Sequence, residues 1–135
     1  MASSVQLIRA SNLSSVAQYA YAATAPSDAR LIFLAGACPL ELDGSIAAPG
    51  DYAAQSAVCI DTMTRALDAA GATITDVIST RVLVASSDRA DLVAAWNVVR
   101  AAFGDHDVPS TLFGVTVLGY EGQLVEIEAI AAVVD

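Results

Sequence analysis

The chain has 135 residues, 56% of them hydrophobic, which suits one domain spanning residues 1–135 with a sizeable core. Fifteen acidic residues stand against six basic ones, for a net charge of −9, and all six are arginines: Arg9, Arg30, Arg65, Arg81, Arg89 and Arg100. The absence of lysine excludes Schiff-base chemistry and lysine-anchored pyridoxal phosphate. The scattered arginines offer no basic patch, so nucleic acid is not an expected partner.

A single histidine, His106, rules out a multi-histidine metal centre, and no metal is expected. Gly36, Gly44 and Gly50 are not spaced as a phosphate-binding loop, and no cofactor is expected. Cys38 and Cys59 match no metal or redox spacing. No apolar run reaches the ~20 residues that span a bilayer. The start, Met1-Ala2-Ser3-Ser4-Val5, lacks the basic and apolar regions of a signal peptide. These features together lead us to expect a cytoplasmic protein without a membrane partner.

In chain order, short strands are expected over 5–9 and 19–23. An apolar strand follows in Arg30-Leu31-Ile32-Phe33-Leu34-Ala35, ending at Gly36. A first helix follows Asp51, a natural N-cap. Its stripe is Cys59, Met63, Ala66 and Ala70, widened by Ile60 and Leu67, with Gly71 at its C-terminal end. Residues 78–85 alternate as a strand. A second helix starts near Asp88 with Asp91 as a capping-box-like acid, carries Leu92, Trp96, Val99 and Phe103, and stops at Gly104. Strands over 111–118 and 124–133 are expected to form a hairpin through Gly119-Tyr120-Glu121-Gly122. The order β-β-β-α-β-α-β-β gives an α+β fold with two helices on one face of one sheet.

The last strand carries the most information. Period 2 puts Val125, Ile127, Ala129 and Ala131 on one face, to pack under the helices. Glu126 and Glu128 share the other face with Leu124 and Ile130. A face half apolar and half acidic is expected to be covered by another subunit, and Glu128 is expected to be structural, paired to Arg81 across the sheet.

The stretches Leu34-Ala35-Gly36-Ala37-Cys38-Pro39, Leu42-Asp43-Gly44, the helix with Gln55, Leu67-Asp68-Ala69-Ala70-Gly71-Ala72 and Leu124-Val125-Glu126-Ile127-Glu128-Ala129-Ile130-Ala131 occur in a telling order. Together they resemble the Rid (reactive intermediate deaminase) family, also called the YjgF or liver perchloric-acid-soluble protein family, from about Tyr19 to Val133. The resemblance implies a chorismate-mutase-like single domain with a mixed sheet. It also implies a homotrimeric barrel with ligand clefts between subunits. In the family's deaminases, an arginine in a Pro-x-Arg-Ser segment grips the substrate carboxylate, and the first glutamate of Glu-x-Glu positions the hydrolytic water.

Matched residue by residue, the resemblance makes Glu126 the catalytic glutamate, Tyr19 the N-terminal tyrosine and Gly36 the glycine of the Ser-Gly-Gln stretch. Cys38 is placed where it could line the cleft. The arginine position falls in Val108-Pro109-Ser110-Thr111, on Thr111 or, with a one-residue slip, on Ser110. A hydroxyl offers one neutral donor where arginine offers two charge-assisted ones. The sequence therefore points to a small neutral or cationic ligand and to weak activity on carboxylated imines. Two functions fit: hydrolysis of an enamine, imine or related C–N substrate, or non-catalytic binding and sensing of a small molecule on the same scaffold. Ribonuclease activity, attributed to some family members, fits the acidic charge least.

Overall fold

The computed structural model describes residues 3–135. Met1 and Ala2, which begin the stretch read for a leader, lie outside the described residues.

The elements follow the expected order. Strands β1 (Gln6–Ile8), β2 (Ala22–Thr24) and β3 (Arg30–Phe33) precede helix α1 (Tyr52–Ala69) and a short 3-10 turn (Ile74–Asp76). Strand β4 (Val77–Ala85), helix α2 (Arg89–Phe103), and strands β5 (Ser110–Val115) and β6 (Val125–Val133) complete the fold. The strands form two sheets rather than one. An antiparallel ribbon joins β1 to β2, and a four-stranded mixed sheet has the order β3-β6-β4-β5.

Local chemistry sets the helix ends. The Asp51 carboxylate accepts the Ala54 amide at 2.9 Å, and Gly71 takes φ +80° just past the C-terminus of α1. Asp88 caps α2 by accepting the Ala90 amide at 2.9 Å, and Gly104 ends it at φ +57°. Asp91 does not reach back as a capping box requires. It accepts the Ser86 hydroxyl at 2.7 Å, tying the helix to the end of β4.

Both helices lie on one face of the four-stranded sheet. Cys59, Met63 and Leu67 of α1 and Ala95, Val99 and Phe103 of α2 join Val77, Val82 and Val84 of β4 in the core. The same core takes Val125, Ile127, Ala129 and Ala131 of β6, as period 2 demands. The buried side of α1 is rotated from the expected stripe. Gln55, Ser56, Cys59, Met63 and Leu67 are buried, whereas Ala66 is exposed. The larger Leu67 takes the place facing the sheet, because it removes more apolar surface from water than alanine does.

The hairpin expected between the last two strands does not form. β5 pairs with β4 in parallel, β6 pairs with β4 antiparallel, and β4 lies between them. The unit β4-α2-β5 is a strand–helix–strand crossover, the usual way to join parallel neighbours. That crossover delivers β5 to the outer side of β4, so the Gly119-to-Gly122 loop bridges across a strand instead of closing a turn.

The second sheet face carries Leu31, Phe33 and Phe113, exposed at 54%, 71% and 38%. Leu83, Glu126, Glu128 and Ile130 share this side and are half-buried. A contiguous apolar face of this kind is normally covered by a partner.

Candidate active site

Glu126 sits in β6, opposite Leu83 of β4. On its other side the chain leaving β3 runs along β6, held by the Ala37 amide on the Ile127 carbonyl at 2.7 Å and the return bond at 3.1 Å. This pairing puts Cys38 beside Glu126. The Cys38 thiol donates to Glu126 Oε1 at 3.2 Å. Gln123 Nε2 donates to the same oxygen at 3.2 Å and to the Val125 carbonyl at 3.1 Å. Gln123 is itself buried, and its own side-chain oxygen accepts the Tyr120 amide at 3.2 Å.

Gly36 lies under the carboxylate. A Cβ there would stand 2.6 Å from Glu126 Cδ and 3.0 Å from Cγ. Glycine is required here for close approach, not for an unusual backbone angle. Oε1 is thus engaged twice, while Oε2 lies over the glycine with no hydrogen-bond partner among the described residues.

Gln123 was missed by the sequence reading, since a lone glutamine before a strand carries no motif. Gln55 works behind it. Its buried side chain accepts the Leu124 amide at 2.8 Å and donates to the Gly122 carbonyl at 3.1 Å, pinning the loop that delivers Gln123.

The Cys38 thiol is pushed up to about 11 from an ordinary value of about 9, first by burial, then by its hydrogen bond to Glu126 and by that residue's charge. It stays protonated at neutral pH and acts as a donor, not a nucleophile. Iodoacetamide at pH 8 should alkylate native Cys38 about a hundredfold more slowly than the same residue in the urea-unfolded chain, the factor set by the shift from about 9 to about 11. Equal rates would remove the thiol from its role as donor. A raised acid pKa stabilises the fold fully below the unfolded value. That contribution should be lost as pH rises from about 9 toward 11.

Tyr19, Ser110 and Thr111 do not join this cluster. They line a separate hollow of about 260 Å3 at the β5 edge. The Tyr19 ring packs edge-on to Tyr21 and Trp96, with centroids 6.0 and 6.2 Å apart, and Trp96 Nε1 donates to Gln18 at 2.8 Å. Ser110 and Thr111 point to opposite faces. Ser110 faces the helix side, where it accepts the Thr80 hydroxyl at 2.8 Å. Thr111 lies on the outer face, opposite Arg81, which in turn lies opposite Glu128. Two strand spacings separate Thr111 from β6, plus a two-residue offset along it, so its Cα stands roughly 12 Å from that of Glu126. Within one chain, the six site residues inferred from sequence fall into two separate groups.

One smaller expectation changes. Arg81 and Glu128 are cross-strand neighbours but form no ion pair among the described residues, where Arg9–Asp107, Arg30–Asp135 and Arg65–Asp61 do. His106, in the loop after α2, places its Nε2 2.7 Å from the Val77 carbonyl. No cluster of potential metal ligands occurs among the described residues, and no helix there is long and apolar enough to cross a membrane.

Comparison with solved structures matches this architecture. A crystal structure of YyfB from Yersinia pestis, described as a protein of unknown function of the conserved Rid family, superposes with a TM-score of 0.86 at 25% identity, over 96% of this chain and 99% of the other. Rv2704 from Mycobacterium tuberculosis, described as a member of the highly conserved YjgF/YER057c/UK114 family, is 32% identical, with a TM-score of 0.64 over 96% and 100% of the two chains. RidA from an Antarctic Psychrobacter shares the fold at 20% identity and a TM-score of 0.68. No curated protein matches the chain. The family model described as Endoribonuclease L-PSP matches residues 10–133, nearly the whole sequence, and the chain therefore belongs to this family, the YjgF/Rid proteins.

Proposed function

We propose that this chain hydrolyses an enamine or imine, releasing ammonia and a carbonyl compound, in a cleft between subunits of a homotrimer. The observation that carries the reading is the Glu126 carboxylate. One of its oxygens is fixed by Cys38 and Gln123, and the other is left open over Gly36. A carboxylate held this way can accept a proton from water as it attacks the imine carbon, then return it to the departing nitrogen. Water adds across the C=N bond, and the C–N bond of the resulting carbinolamine breaks to leave C=O and ammonia.

The exposed Phe33, Leu31 and Phe113 around this face, together with the division of the site residues into two separate groups, support assembly into a trimer in which neighbouring copies complete the cleft. The ribonuclease activity in the family's name finds no support in a chain of charge −9 whose one histidine ring lies against a backbone carbonyl.

The test is a panel of imines generated in situ by amino-acid oxidases, with ammonia release followed for the wild type and the Glu126→Gln variant, and the mass read by light scattering. Ammonia release above the spontaneous rate from a trimer supports the proposal. Tight binding of imine analogues without turnover leaves the non-catalytic binding reading, and a monomer removes the shared cleft.

A further inference from the structure

Strand register sets what surrounds Glu126 on the outer face. Leu83 pairs with Glu126 on one side and with Phe113 on the other, so Phe113, Leu83 and Glu126 form one row across β5, β4 and β6. Their side chains leave the outer face, because Val82 and Val84, which flank Leu83 in sequence, are buried against the helices. Cys38 continues the row beyond Glu126 through its hydrogen bond to Oε1. The next row toward the C-terminal end of β4 holds Ala85 and Val115. Leu83, Phe113, Ala85 and Val115 thus make an apolar shelf on the β4 side of the carboxylate.

The row on the other side of the shelf is polar: Thr111, Arg81 and Glu128. The shelf itself carries no hydrogen-bonding side chain. Leu83, Ala85 and Val115 are half-buried, and Phe113 is exposed. Neighbouring strands lie about 5 Å apart, so Glu126 and Phe113 stand roughly 10 Å apart at the backbone. That span takes a C=N group at the carboxylate and one ring laid over Leu83 against Phe113. Glu126 is half-buried and joins no ion pair among the described residues. A wholly apolar cover would leave its open oxygen without a donor, which is costly. The occupant must therefore combine a donor or a positive charge at one end with an apolar body at the other.

We infer that Phe113 and Leu83 form the specificity wall of this site, and that its substrate is a planar imine with an aromatic or similarly flat apolar group and no carboxylate. The inference rests on the reading of Glu126 as the hydrolytic centre and names the substrate class for it. The protonated C=N group meets the carboxylate through a charge-assisted hydrogen bond. The ring adds affinity in proportion to the apolar surface it buries on the shelf. The lack of arginine at 110 and 111 is then no deficit, because the substrate brings no carboxylate to hold.

The experiment is an NMR titration of the full-length protein with three stable probes. Benzamidine is a planar cation that mimics an aryl iminium, acetamidine keeps the cation without the ring, and benzoate keeps the ring and reverses the charge. Wild type should bind benzamidine roughly tenfold or more tightly than acetamidine, and roughly tenfold or more tightly than benzoate. Phe113→Ala should weaken benzamidine roughly tenfold and leave acetamidine unchanged, and Phe113→Leu should restore part of that loss. Glu126→Gln should weaken both amidines. Equal affinity for the two amidines overturns the inference, as does benzoate binding as tight as that of benzamidine or undiminished benzamidine binding in Glu126→Gln. Equal loss of both amidines in Phe113→Ala also overturns it, because Phe113 would then support the fold or the assembly rather than the ligand. Ammonia release is read separately, on aryl imines generated by a flavin amine oxidase. Selective benzamidine binding without turnover refutes the hydrolase alone, and Glu126-dependent turnover that Phe113→Ala leaves unchanged refutes the wall alone.

Discussion

Glu126→Gln should lower ammonia release from the best imine substrate by about 10²–10⁴-fold, the usual range for removing a positioned proton-transfer group. The substitution preserves shape, and the side-chain carbonyl can still accept from Cys38 and Gln123. What it removes is the basic oxygen over Gly36. A structural glutamate would behave otherwise: the variant would melt at a lower temperature while each folded molecule kept its rate. The decisive reading is therefore the rate per folded protein, with the spontaneous hydrolysis of the imine subtracted. An unchanged rate would falsify the assignment of Glu126. Gly36→Ala supplies an independent arm. The added methyl meets only the flexible end of Glu126, with Cδ 2.6 Å away, so the side chain swings and the fold survives. Activity should fall with little change in melting temperature.

Leu67→Ala should cost about 2–5 kcal/mol of folding stability, because it empties a fully buried site between α1 and the sheet. Leu67 lies in the core cluster with Met63 and Cys59, all with no exposed surface. Against a typical total of 5–15 kcal/mol this is a large fraction. Urea denaturation measures it. Leu42→Ala provides the contrast: Leu42 is 99% exposed, and its loss should stay within about 0.5 kcal/mol. Similar midpoints for the two variants would mean that the packing of α1 on the sheet does not support the fold as described.

Element types and order were legible in the sequence because each rests on local chemistry. Asp51 and Asp88 are side-chain caps, Gly71 and Gly104 end helices at positive φ, and β6 alternates residue by residue. Pairing was not legible where it depends on distant segments. The turn-like Gly119-to-Gly122 loop favoured a hairpin, but the crossover through α2 put β5 on the far side of β4. The site behaved in the same way. Glu126, Gly36 and Cys38 converge because the 34–38 segment runs beside β6, while Tyr19, Ser110 and Thr111 gather elsewhere. Gln123 escaped notice because it belongs to no motif, and its place beside Glu126 follows only from the fold.

The strand order has a consequence for how the protein is made. β6, the last element of the chain, is an inner strand bonded to β3 on one side and β4 on the other. On the ribosome, β3 and β4 must each wait with a bare edge until residues 125–133 emerge. The four-stranded sheet can therefore close only after residues 125–133 have been made. Until then the nascent chain exposes unpaired, largely apolar strands, the condition under which chaperone holding is most needed.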